Sequence, residues 1–200
     1  MDFFQSKFTL FGYFLGYFLV AFVWRSVLVF RRTGVNPLVF PHSDDAHGYV
    51  GRALKVATAA CAVIVVGNLF SGADKWLGHY APLDGSLATI AGWTLLLSSL
   101  VWLLIAQAQM GSSWRIGIDS QHRTSLVQSG LFGISRNPIF LAMRVNLLGL
   151  FLVLPCAATL ALLVAGELLM QVQVRLEEQH LSSLHGPEYV AYCRKVRRWI

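Results

Sequence analysis

What most restricts this chain is the length of its apolar stretches. Residues Phe8 to Phe30, Ala53 to Phe70 and Ala88 to Ala106 each approach the roughly 20 residues that an α-helix needs to cross the hydrocarbon core of a bilayer. A fourth stretch, Ile139 to Val174, is too long for one crossing and carries Pro155 near its middle, so it is expected to fold as two helices in a tight hairpin. Five spans follow. With 56% hydrophobic and 13% charged residues and a mean hydropathy of +0.57, the chain has too little polar surface to cover a water-soluble globule. The expected fold is all-α: a polytopic helical membrane protein of about five transmembrane helices.

The first apolar stretch is too long for the core of a signal peptide and has no small-residue cleavage site before Arg31, so it is taken as mature structure. Cys61, Cys156 and Cys193 form no C-x-x-C pair, which points to neither a disulfide framework nor a metal site. The histidines, among them His42, His47, His180 and His185, show no H-E-x-x-H pattern, and metal catalysis is not expected.

The net charge of +6 lies in the loops rather than on one folded face, so a nucleic-acid partner is not expected either. Arg31, Arg32, Arg52 and Lys55 flank the first loop; Arg115, Arg123 and Arg136 belong to the third; Arg194, Lys195, Arg197 and Arg198 crowd the tail. The loop from Ser71 to Gly85 is poor in basic residues. The positive-inside rule then puts the first and third loops and the C-terminus in the cytoplasm and the N-terminus outside. The connection Gln107 to Pro138 and the tail after Val174 therefore share one side. The tail reads as a helix running out of the fifth span, a break at Gly186-Pro187, and a cytoplasmic amphipathic helix from Glu188 with Tyr189, Tyr192 and Val196 on one face.

Ionisable residues inside a bilayer are costly, and they are usually paired or functional. Arg144 and Glu167 lie on either side of Pro155, both about 17 Å from the hairpin turn at ~1.5 Å per residue, so an ion pair between the two helices is expected. It is either a structural pair that fixes the hairpin or part of a site, with Arg144 and Glu167 as the catalytic candidates. From Glu167 the positions Gln171, Val174 and Glu178 stay close to one direction at 100° per residue. Together with Gln107, Gln109 and Arg136-Asn137-Pro138 they outline either a pocket at the cytoplasmic interface or ordinary interfacial anchoring.

Several of these residues stand in a familiar order. The run Gly130-Leu131-Phe132-Gly133-Ile134-Ser135-Arg136-Asn137-Pro138-Ile139-Phe140 enters the hairpin. After it come Arg175-Leu176-Glu177-Glu178, Leu181, His185-Gly186-Pro187-Glu188-Tyr189, Tyr192 and Val196, and before it Gln107 and Met110-Gly111-Ser112-Ser113-Trp114-Arg115. This set, over roughly residues 105–198, resembles the isoprenylcysteine carboxyl methyltransferase and phospholipid methyltransferase superfamily. The resemblance implies a cytoplasmic-face pocket for S-adenosylmethionine, built by the hairpin and the C-terminal segment. It implies cofactor-binding roles for Gln107, Arg136, Asn137, Pro138, Phe140, Glu177, Glu178, Tyr189, Tyr192 and Arg197. Asn137 stands where the family has His, and Phe140 where it has Tyr.

S-adenosylmethionine carries a sulfonium, an ammonium, a carboxylate, a ribose diol and an adenine, so its site needs carboxylate, cation and an apolar slot. No G-x-G-x-x-G element offers a soluble alternative. The expected organisation is one integrated membrane domain, with residues 1–106 shaping the acceptor side and 107–200 forming the methyltransferase-like core. The expected activity is methyl transfer to a lipophilic acceptor: an isoprenylcysteine carboxylate-like group, a phospholipid amine or another small hydrophobic molecule. The competing expectation is a non-enzymatic membrane protein, a small transporter or assembly factor on the same scaffold.

Overall fold

A computed structural model of the protein describes residues 7–37, 44–115 and 125–200; His42 and Arg123 lie outside them. The first span runs unbroken from Lys7 to Thr33 as α1 (Lys7–Phe18), a π-helical turn (Leu19–Trp24) and α2 (Arg25–Thr33). It stops at Gly34, whose left-handed backbone (φ 69°) lets its N–H return to the Phe30 carbonyl. The other elements are α3 (Ala46–Gly67), α4 (Ala73–Leu77), α5 (Ser86–Met110), α6 (Pro138–Val153), α7 (Ala157–His185) and α8 (Pro187–Lys195). Among the described residues no strand forms, and the protein is an all-α polytopic membrane protein.

Four of the expected spans are helices long and apolar enough to cross a bilayer; the fifth, α6, is shorter. At ~1.5 Å per residue its 16 residues reach about 24 Å. Proline sets both limits. Pro138 begins the helix at its first turn, where its missing N–H costs nothing, and Pro155 follows two residues after its last. The hairpin therefore turns where the proline predicted. The second span begins earlier than its apolar run suggests, because the Asp45 carboxylate accepts from Gly48 N at 2.8 Å and caps α3 ahead of a polar first turn. At the other end, Val196 falls just beyond α8 instead of on its face.

Helix packing rests on small residues and one polar cluster. α5 crosses α6 so closely that a Cβ at Gly149 would stand 2.9 Å from the Gly92 carbonyl oxygen, and one at Gly92 would stand 3.0 Å from that of Gly149. Close backbone approach of this kind lets helices associate where apolar burial gives little drive. Asn146 of α6 donates to the Tyr13 hydroxyl at 2.6 Å and to Ser99 Oγ at 3.2 Å, and Tyr13 donates to the Leu96 carbonyl at 2.7 Å. The first span, α5 and α6 are thereby pinned together inside the bilayer. Phe18, Val63, Ile90, Val101, Val164 and Leu168 point outward and exposed, as lipid-facing positions do. At the hairpin end, Tyr80 N donates to the Pro155 carbonyl and Ala157 N to that of Gly78, tying the loop before α5 to the turn.

Candidate functional site

The segment before α6 is shaped for contact. Gly130 has φ 64°, and any Cβ there would run into the Gln109 side chain. Without one, Gln109 Oε1 accepts from Leu131 N at 2.8 Å, and Trp102 of α5 donates to the Pro138 carbonyl at 3.1 Å. The chain thus delivers Arg136 and Asn137 to the start of α6, facing α7 and the tail.

There Glu178 of α7 gathers three side chains into a closed joint. Its Oε1 accepts from Arg136 Nε (3.1 Å), Arg136 Nη2 (3.0 Å) and Asn137 Nδ2 (3.1 Å), and its Oε2 from Arg198 Nε (3.1 Å) and Nη2 (2.8 Å). The Glu178 and Arg136 side chains are each 12% exposed. Arg136 also donates through Nη1 to the Val196 carbonyl (2.8 Å) and the Cys193 carbonyl (3.2 Å), and its backbone N–H meets the Arg197 carbonyl at 2.9 Å. Ser135 and Asn137 add bonds to the Arg198 carbonyl. The tail is laced to the start of α6. The bond to Glu178 comes first among the causes that raise the Arg198 guanidinium above its ordinary pKa.

α8 closes the same corner. Gly186 (φ 57°) makes the sharp break, after which Tyr189 and Tyr192 are both buried and the Tyr192 hydroxyl donates to the Phe132 carbonyl at 2.6 Å. Burial pushes the Tyr192 phenol up to about 12 and the Tyr189 phenol higher still.

Further into the hairpin lies a second centre. Arg144 of α6 grips Glu167 of α7 through Nε and, at 2.9 Å, through Nη2. Gln171 donates to Glu167 at 2.8 Å, and Arg175 to Gln171 at 2.8 Å, so the stripe read from Glu167 through Gln171 and Val174 to Glu178 is hydrogen-bonded only as far as Gln171, where Arg175 joins it. Trp199, at the end of the tail, lays its ring 4.2 Å from the Arg144 guanidinium carbon. Unlike the Glu178 joint this pair is open, with Arg144 27% and Glu167 35% exposed.

The sequence-derived residues sort accordingly. Arg136, Asn137 and Glu178 meet directly; buried Pro138 and half-buried Phe140 sit on the first turn of α6. Glu177 points elsewhere, accepting from Gln173 at 3.0 Å. Gln107 lies against the first span, donating to the Ala21 carbonyl at 2.9 Å, and has no bond to the joint. The Arg197 side chain is exposed; the tail arginine that reaches Glu178 is Arg198. Sequence reasoning missed Arg198 and Trp199, and also Arg25, a buried cation inside the first apolar run. A cavity of ≈ 590 Å³ between α3 and α7, lined largely by alanines such as Ala57, Ala60, Ala161 and Ala165, falls on the face of α7 turned away from Glu167. Its lining suits a hydrocarbon chain.

A helical hairpin inside an integral membrane protein, with ion pairs between its helices and a tail folded over its end, defines the class of protein. The phospholipid methyltransferase family model matches residues 87–188, just over half of the chain and running from the start of α5 into α8, so the chain belongs to that family. No curated protein and no solved structure matches it.

Proposed function

We propose that the protein transfers a methyl group from S-adenosylmethionine to a lipophilic acceptor that arrives through the bilayer. The observation that carries this reading, beside family membership, is the open Arg144–Glu167 pair. It sits about 17 Å from the hairpin turn at ~1.5 Å per residue, within the apolar helices, where two charges exposed to hydrocarbon alone would be strongly disfavoured. A polar occupant resolves the conflict.

The groups around that pair fit the cofactor. Glu167 offers a carboxylate to a cation, Arg144 a fork that matches a carboxylate, and Trp199 a flat apolar face. When bound, S-adenosylmethionine supplies a methyl group on a sulfonium, which the acceptor's lone pair takes while the carbon–sulfur electron pair stays on sulfur. The chain's own part is to orient and to exclude water. Arg144 and Glu167 hold the polar ends, and the lid of Tyr189, Tyr192 and Trp199 closes the water side. Arg136, Asn137 and Glu178 shape the wall, since the Glu178 carboxylate is only 12% exposed behind its protein partners, against 35% for Glu167. Asn137 fills its place in that wall with an amide N–H, a task that needs no imidazole.

In the same reading the loops bearing Arg31, Arg32 and Arg136 and the arginine tail are cytoplasmic and the N-terminus is outside, so the cofactor enters from the cytoplasm. The acceptor is an isoprenylcysteine carboxylate-like group, a phospholipid amine or another small hydrophobic molecule. Calorimetric titration of the detergent-solubilised chain with S-adenosylmethionine and S-adenosylhomocysteine tests the proposal. Saturable one-site binding, followed by methyl transfer to one acceptor class in a panel, supports it. A folded protein that binds neither compound is a non-enzymatic scaffold.

A further inference from the structure

The first span carries an ionic group that the methyltransferase reading leaves unused. Arg25 is 7% exposed and lies about 27 Å along the helix from Lys7 at ~1.5 Å per residue, close to the ~30 Å thickness of the hydrocarbon core. That depth is the level of lipid headgroups. Its Nη2 donates to the Gln107 carbonyl at 2.5 Å and the Gly111 carbonyl at 2.6 Å, and the Trp114 ring lies 5.8 Å from its guanidinium carbon. These carbonyls are the open C-terminal end of α5, so one edge of the guanidinium is accounted for as a helix cap.

The rest of the group is not. Arg25 Nε is buried without an acceptor, and Gln107 Oε1 is buried without a donor although Gln107 Nε2 is fixed on the Ala21 carbonyl. Among the described residues no carboxylate pairs with Arg25. A buried cation without a counter-charge calls for an anion. Two turns further on the same face, Arg32 adds a second, exposed cation. The π-helical turn just before Arg25 has Val20, Val23 and Trp24 exposed, an apolar track on which hydrocarbon chains can lie.

We propose that Arg25, Arg32 and Gln107 bind the headgroup of an anionic phospholipid that also carries a hydroxyl, the chemistry of phosphatidylglycerol. The phosphate meets the guanidinium of Arg25, for which its oxygens are the natural match, and Arg32 strengthens the field. The headgroup hydroxyl donates to Gln107 Oε1. A water molecule would satisfy the two orphaned atoms but leave the charge, which is why an anion is assigned. The site stands on the membrane fold alone and is independent of cofactor binding.

Native mass spectrometry of the full chain in neutral detergent, titrated with phosphatidylglycerol, phosphatidylcholine and glycerol 3-phosphate, tests it. The expected result is one retained phosphatidylglycerol with at least about tenfold preference over phosphatidylcholine, undisplaced by glycerol 3-phosphate. Arg25→Gln abolishes the preference and Arg32→Gln weakens it several-fold. Because Arg25 also caps α5, thermal unfolding checks that Arg25→Gln folds; if it does not, exposed Arg32 decides. Equal retention of the two lipids by the native chain overturns the proposal, as does an unchanged preference in the folded variants. Displacement by glycerol 3-phosphate overturns the lipid as the source of the phosphate.

Discussion

Two ion-pair centres join the same two helices and are built to opposite ends. At the mouth of the α6–α7 hairpin, Glu178 is met by Arg136, Asn137 and Arg198 and is 12% exposed; deeper in, Glu167 is met by Arg144 and Gln171 and is 35% exposed. Burying charge is tolerable when every partner is present, and the Glu178 joint meets that condition with protein groups alone. The Glu167 centre leaves charged surface open at a depth where lipid cannot solvate it. The closed pair holds the fold; the open one is where the proposed ligand would place its charges.

The largest effects are expected at the closed Glu178 centre. Glu178→Ala strands Arg136 and Arg198, and we expect a loss of about 3–5 kcal/mol, read as a lowered thermal midpoint in detergent. Arg198→Ala removes two of the five bonds to Glu178 from a group that is one third exposed, so after discounting for solvent the expected loss is about 1–2 kcal/mol. Tyr192→Phe deletes the bond to the Phe132 carbonyl for about 1 kcal/mol, and it also carries a pH signature. Burial raises the Tyr192 phenol to about 12, so the native fold prefers the neutral form. Its contribution is full below the ordinary phenol pKa of ~10 and is lost as pH rises through about 12. The midpoint of the native chain should therefore fall more steeply between those values than that of Tyr192→Phe. Smallest is Trp199→Ala, about 0.5–1 kcal/mol for a partly exposed cation–π contact, with a larger effect expected on cofactor affinity than on the midpoint.

Much of the architecture was legible in the sequence because it follows from length and from proline. A run too long for one crossing, interrupted at Pro155, folds as the hairpin observed, and the spacing of Arg144 and Glu167 about that proline anticipates their pairing. Of the stripe from Glu167 to Glu178, the step from Glu167 to Gln171 is bonded because α7 is regular across it, while Glu178 turns to Arg136, Asn137 and Arg198. What was illegible lies where periodicity ends. Past Lys195 the tail is no longer helical, with no helical angle to tell Arg197 from Arg198, and only folding shows which one faces Glu178. Arg25 follows a π-helical turn, which shifts the register that a 100° wheel assumes, and it was hidden in an otherwise apolar run. Glu177 and Glu178 read as a pair, yet adjacent helical residues point about 100° apart, and they take separate partners. The early start of α3 was written in Asp45, a capping residue whose signal hydropathy alone does not register.

The most direct test sets the two carboxylates against each other with a single amide substitution in each. S-adenosylmethionine affinity by calorimetry and the thermal midpoint are measured together for the native chain, Glu167→Gln and Glu178→Gln. Glu167→Gln, whose amide oxygen still accepts from Arg144, should keep more of its midpoint than Glu178→Gln, while binding weakens at least about tenfold. Glu178→Gln should lose its midpoint first. Unchanged affinity in a folded Glu167→Gln protein, or a loss of affinity that only ever accompanies unfolding, would contradict the assignment of the open pair to the ligand.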